Sequence, residues 1–225
     1  MGGTGSRVPS YYDEDLQRTA AERALAAAGD HVAAYAAAVG KLVRGAPVRE
    51  LLAEIERCEH TLLAVGSSGV GRLLGIIGGD VVTEVVHRAP CSVLVARPVE
   101  AEVPRRLVVG VDGSIESAAA YAAARYLSDR FGAELHALVA RGGKGVDERL
   151  AVFITDGRHE ECAAPPVQAL VSAGERADLV IVGSRGLHGL RALGSVSEQV
   201  AHSVACSALI VREPPWQRIA EELGR

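Results

Sequence analysis

Short apolar runs recur along the second two thirds of this chain. They are "TLLAV" (61–65), "CSVLVAR" (91–97), "RRLVVG" (105–110), "AELHALVA" (133–140), "DLVIV" (178–182) and "CSALIVR" (206–212). Each is short and continuous, as expected of strands buried on both faces. "RLAVFITD" (149–156) reads as one more strand, and "AVGKLVRG" (38–45) as another. Between the runs, apolar positions fall at helical spacing. "DEDLQRTAAERALAAAG" (13–29), "PVRELLAEIERCEH" (47–60), "VVTEVVHRA" (81–89), "ESAAAYAAARYLSDRFG" (116–132), "PPVQALVSAGERA" (165–177) and "SEQVAHSVA" (197–205) are the predicted helices. Ser114 is placed to cap the fourth of these and Gly132 to stop it. Strands alternating with helices predict a parallel α/β sheet.

Part of the pattern occurs twice. Residues 61–98 and 178–214 both read strand, glycine loop, helix, strand. Gly66 aligns with Gly183, Gly69 with Gly186 and, after one two-residue gap, Gly79 with Gly194. Cys91 then falls on Cys206 and Arg97 on Arg212. A duplicated domain is the simplest cause. The later copy extends back through "RRLVVGVDGS" to five strands, a full doubly wound unit. The earlier copy has no counterpart of "RRLVVGVDGS", so it lacks its first strand, first helix and second strand. It then leans on the other half, exchanges segments with a second chain, or is a truncated frame.

Composition narrows the classes. The chain has 225 residues, 48% hydrophobic and 23% charged, an ordinary globular balance. A formal net charge of −4 gives no basic footprint for nucleic acid. No apolar run reaches the ~18 residues of a membrane helix. "MGGTGSRVPSYYDED" has no apolar core of a signal peptide, so a cytoplasmic protein with a disordered tail over 1–12 is expected. Cys58, Cys91, Cys162 and Cys206 form no C-x-x-C pair and are expected to be reduced, mostly buried thiols.

"LVVGVDGS", "DLVIVGSRGLHGL" and "LGSVSEQVAHSVACSALIVR" together resemble the universal stress protein family. Residues 105–213 match the family order throughout, and 13–98 only its later half. The resemblance implies two Rossmann-like domains of the adenine-nucleotide alpha-hydrolase type with parallel sheets, the first (13–100) lacking its initial strands and the second (105–213) complete, followed by a tail over 214–225. It implies a stress-response regulator binding ATP or another adenine nucleotide, with or without magnesium. It also implies that the final strands "SVLVA" and "ALIVR" pair across an internal pseudo-dimer interface; a homodimer is a further possibility. Asp112 would meet the adenosine, the backbone at Val139 and Ala140 would line the base, and Gly183 would approach the ribose. Gly186, Gly194, Ser195, Val196 and Ser197 would hold phosphates, with Arg185 or Arg191 adding charge.

Elementary chemistry supports such a site. A helix start offers unsatisfied N–H groups and partial positive charge, and glycine removes the Cβ that would hold phosphate away. Yet the family spacing is G-x-x-G-x9-G-[ST], and only seven residues separate Gly186 from Gly194. Gly66, Gly69 and Gly79 keep the full spacing, but Asp80 stands where Ser or Thr belongs. A carboxylate 4 Å from a phosphate charge costs about 4 kcal/mol at an effective dielectric near 20. Asp80 would equally well cap its own helix, and the first copy reads as a degenerate site. The glycine loops are also compatible with ligand-free connectors, Asp112 with an Asx turn to Ser114, and the whole chain with a protein-interaction module that lost the site. His188 is a phosphate contact or a solvated loop residue. His87 and His202, at matching helix positions, read as structural rather than metal-binding. No lysine follows Gly194-Ser195-Val196, so efficient nucleotide hydrolysis is not expected; slow hydrolysis stays open. No catalytic set and no metal site is assigned.

Overall fold

The computed structural model describes residues 10–33, 36–67, 79–98, 103–142, 146–184 and 195–212. The chain divides into two compact units, Met1–Ala46 and Pro47–Arg225. Among its described residues the first unit holds one helix, α1 (Ser10–Ala33), with an exposed Arg18–Glu22 pair at 2.8 Å. Residues 36–46 form no strand, which corrects the strand expected at 38–45. An apolar run becomes a strand only with a ladder partner, and the strand that would flank it in a complete copy is missing from this half.

The second unit runs α2 (Pro47–Cys58), β1 (Leu62–Gly66), α3 (Gly79–Arg88), β2 (Ser92–Ala96), β3 (Arg106–Gly110), α4 (Ile115–Phe131), β4 (Glu134–Ala140), α5 (Glu148–Thr155), β5 (Glu160–Cys162), α6 (Pro166–Gly174), β6 (Leu179–Gly183), α7 (Val196–Ser203) and β7 (Ser207–Val211). Ser114 accepts from Ser117 N and Gly132 closes α4 at φ +64°, as the sequence predicted. "RLAVFITD" is helical instead of extended. Ala151 and Thr155 are buried four residues apart while Val152 is exposed, a period near 3.6. Asp147 starts that helix, its Oδ1 accepting from Arg149 N at 3.1 Å. The fifth strand of this copy is the three-residue β5.

The expected two parallel sheets are one mixed sheet, ordered β1-β2-β7-β6-β3-β4-β5. All neighbours are parallel except β2 and β7, which pair antiparallel with Leu94 opposite Leu209. The truncated copy thus completes itself by adding two strands to the edge of the intact one. Val93, Val95, Val108, Val180, Val182 and Ile210 face one core under α2, α3, α6 and α7; Leu107, Val109, Ile181, Leu209 and Val211 face the other under α4 and α5. β6 is buried over Leu179–Val182, whereas its counterpart β1, at the sheet edge, alternates exposed and half-buried.

The join is built twice over a pseudo-twofold axis. Arg97, after β2, donates to Ala201 O (2.6 Å) in the last turn of α7 and to Cys206 O (2.9 Å) just before β7. Arg212, after β7, donates to Val86 O and Ala89 O at the end of α3. The backbone N–H of each arginine donates to the serine of the other copy, Ser207 for Arg97 and Ser92 for Arg212, both at 3.1 Å. A guanidinium fork suits two carbonyls at once, and a cation is favoured at a helix C-terminus. Burial lowers the proton affinity of both guanidinium groups, but they remain cations. The matching histidines sit on the same axis. His202 Nε2 lies 2.9 Å from Thr83 Oγ1, and His87 Nε2 lies 3.3 Å from Glu198 Oε2 without hydrogen-bond alignment.

Replacing Arg212 by Met should lower the unfolding free energy in urea by about 2–4 kcal/mol, from two lost charge-assisted bonds and the carbonyls left behind. Arg97→Met should cost less, because Arg97 is only half-buried. A loss under about 0.5 kcal/mol for Arg212→Met would contradict this account of the join.

All four cysteines are free thiols, Cys91 and Cys206 buried and Cys58 exposed. Burial pushes the Cys91 and Cys206 thiols up from their usual value. The folded chain therefore holds these protons more tightly than the unfolded one. The associated stability is complete below about pH 8.5 and declines as pH rises beyond it. Maleimide labelling at neutral pH should modify Cys58 quickly and leave Cys91 and Cys206 unmodified until denaturant is added; rapid native labelling of either buried thiol would contradict the packing.

Candidate functional site

β3 is followed by β4 on one side and, after two crossovers, has β6 on the other. This is the point where strand order reverses, and ligands of open α/β sheets bind at the carboxyl ends there. A cleft of about 330 Å³ lies at this place. Its walls come from Asp112 and Ser114 after β3, Ala140 at the end of β4, Pro166 and Leu170 on α6, Gly183 at the end of β6 and Val196 at the start of α7. The volume falls in the range of small-ligand pockets. The apolar side is Val146, Pro166, Leu170 and Val182; the polar side is Asp112, Ser114 and Ser117.

Asp112 makes the Asx turn that the sequence allowed. Its Oδ1 accepts from Ser114 N (3.0 Å) and Ser114 Oγ (2.5 Å). Both bonds fall on one oxygen, so Oδ2 keeps its acceptor capacity. The turn passes through Gly113 at φ +84°, where a Cβ would lie 2.5 Å from Asp147 O. Ser114 in turn caps α4. One short stretch, "DGS", therefore aims a carboxylate at the cleft and starts the helix behind it.

Gly183 lines the cleft, but the space of its missing Cβ belongs to α4. A Cβ there would sit 2.3 Å from Glu116 O and 2.9 Å from Ser117 N. The first physical demand on this glycine is the close approach of the helix start to β6. Ala140 lines the cleft, whereas the side chain of Val139 points into the opposite core. Ser195 caps α7, accepting from Glu198 N at 3.2 Å, and its Oγ lies 3.2 Å from Ser197 Oγ. Neither serine is among the described residues lining the cleft; Val196 between them is. Arg185, Gly186 and Gly194, with His188 and Arg191, lie outside the described residues.

The first copy is arranged differently. Gly66 ends β1, Gly79 and Asp80 open α3, and Gly69 lies outside the described residues. β1 is the sheet edge, so Gly66 lacks the neighbouring strand that walls the cleft at Gly183. Sequence reasoning missed the apolar wall from α6. "PPVQAL" signals a helix start, and nothing local says that Pro166 and Leu170 face a cleft. The paired Arg97 and Arg212 were visible as a repeat, but their reach across the join was not.

The fold and cleft define an α/β protein of the Rossmann-like class with its crevice at the switch point. A sequence model described as the universal stress protein family matches residues 3–97 and 146–212, two regions consistent with a tandem arrangement. The chain belongs to the universal stress protein family. A universal stress protein of Mycobacterium tuberculosis is 32% identical over 204 residues, covering 77% of this chain and 68% of that protein. A second from the same species is 31% identical over 187 residues, covering 69% and 62%. Among solved structures, a universal stress protein from Archaeoglobus fulgidus shares the fold at TM-score 0.67 and 24% identity, covering 94% of this chain and 82% of its own. One from Pseudomonas aeruginosa does so at TM-score 0.61 and 17% identity, covering 97% and 84%.

Gly183→Ala should destabilise the chain by about 1–3 kcal/mol, since the added methyl meets helix backbone that cannot swing aside. Gly132→Ala gives a comparison: nothing lies within 4 Å of a Cβ there, and its cost is backbone strain at φ +64° alone. A neutral Gly183→Ala in thermal unfolding would contradict the close approach.

Proposed function

We propose that this protein is an adenine-nucleotide-responsive regulator of the stress response, with one nucleotide site in the cleft at the ends of β3, β4 and β6. The observation that carries the reading is the pairing of an apolar wall (Pro166, Leu170, Val182) with the Asp112 carboxylate in a cleft of about 330 Å³. The wall suits a base, and Asp112 Oδ2 suits a ribose hydroxyl. Val196 sets the start of α7 at the cleft, where its N–H groups favour phosphate. The first half acts as a packing partner without a site of its own. The protein binds rather than turns over its ligand, and it works in the cytoplasm. No helix among the described residues is long and apolar enough to cross a membrane.

A second reading is favoured by one observation. Ser195 and Ser197 bond to each other and to the helix start rather than lining the cleft. In that reading the chain is an interaction module that kept the fold and lost the ligand.

Titration of the purified full chain with ATP and with AMP, followed calorimetrically, separates the two. Micromolar binding that falls at least about tenfold in Asp112→Ala, a loss of about 1.4 kcal/mol, supports the site. No binding up to millimolar nucleotide overturns it in favour of the interaction module. Product release above a protein-free control, lost in Asp112→Ala, would overturn the assignment as a binding protein without turnover.

A further inference from the structure

We propose that the C-terminal end of α2 is a transition-metal site, of the kind that takes Zn²⁺, formed by Glu54, Cys58 and His60. One ligand atom from each lies within 4.8 Å of the other two, and they are the one such group among the described residues. None of the three lines the nucleotide cleft, and the site does not depend on it.

The local sequence explains the grouping. Glu54 and Cys58 are four residues apart on α2 and so share a face; Cys58 Sγ is 3.8 Å from Glu54 Oε1. His60 lies beyond the helix end and would ordinarily lead away from it. Glu59, however, is in the left-handed region at φ +51°, and His60 N donates to Ile55 O at 3.2 Å. This is the helix-closing turn usually given to glycine, and it folds the histidine back beside Glu54 and Cys58.

The donor set selects the ion. A thiolate, an imidazole and a carboxylate suit Zn²⁺ and its neighbours and disfavour Mg²⁺ and Ca²⁺, which take oxygen. Three protein ligands leave a fourth tetrahedral position for water. The ion would also sit at the negative end of the helix dipole, where a cation is favoured. Glu54 already receives Arg57, Nη2 to Oε1 at 2.6 Å and Nε to Oε2 at 3.1 Å. Oε1 also accepts from the Cys58 thiol, and ionisation of that thiol on binding gives up this bond, so Arg57 can hold the carboxylate while it ligates. Binding releases the Cys58 thiol proton to solvent, with no change of oxidation state.

The test uses the metal-free, tag-free full chain in a reducing, non-chelating buffer, titrated with Co²⁺ as a coloured stand-in for Zn²⁺. The expected result is a thiolate-to-cobalt charge-transfer band that saturates at one equivalent and is bleached by Zn²⁺. Cys58→Ala should abolish the band, while His60→Ala and Glu54→Gln should each weaken Co²⁺ binding by about tenfold or more. These residues are at or near the surface, and circular dichroism would confirm that the variants fold. Absence of the band at millimolar Co²⁺ overturns the proposal. So does a band that survives Cys58→Ala, which would place the metal on another thiol. A band lost in Cys58→Ala but unmoved by both other changes would reduce the site to a single thiol and also overturn it.

Discussion

The single sheet of the larger unit depends on the antiparallel contact of β2 with β7. Without it the first half is a two-stranded ribbon with one face bare, too small to persist alone. With it, two strands and two helices of an incomplete copy become the extension of a complete one. The backbone ladder sets the pairing, but the arginines decide how the helices sit. Arg97 and Arg212 each leave their own strand and bind one carbonyl in the last turn of the other copy's helix and one beyond its end. A helix end leaves carbonyls without partners, and burying them needs donors. The duplicated arginine reaches the matching helix carbonyl in both copies, Ala201 O and Val86 O, while its second bond differs, to Cys206 O just before β7 for Arg97 and to Ala89 O for Arg212.

The cleft depends on a second constraint, how closely α4 approaches β6. That approach requires Gly183, because a methyl there would overlap the backbone of Glu116. Gly113 has the same character toward Asp147. Gly183, which the resemblance places near a ribose, is thus first a packing glycine. The two demands agree: a helix start drawn tightly against a strand end also leaves a crevice with exposed backbone beside it. Asp112 and Ser114 then shape the mouth of that crevice through a turn that needs no ligand.

Much of this was legible locally. The apolar runs marked six of the seven strands, and the Gly66/Gly183 register exposed the duplication. Ser114 and Gly132 declared the ends of α4 by cap chemistry alone. The two errors have different causes. "RLAVFITD" is an apolar run whose period is ambiguous over eight residues, and a cap at Asp147 tipped it to helix. "AVGKLVRG" has strand composition, but no strand flanks it. In the first a local cap decided an ambiguous period; in the second the absence of a strand to pair with overruled local preference.

The sequence by itself determined the family, the alternation of strand and helix, the caps and the incompleteness of the first half, because these are set by side-chain periodicity and turn chemistry within a few residues. Only the tertiary structure decided that two half-matching copies share one sheet, that Pro166 and Leu170 wall the cleft, and that Arg97 and Arg212 cross to the opposite helix. Those contacts join residues roughly 50 to 120 positions apart, and no local pattern carries the direction in which a side chain will find its partner.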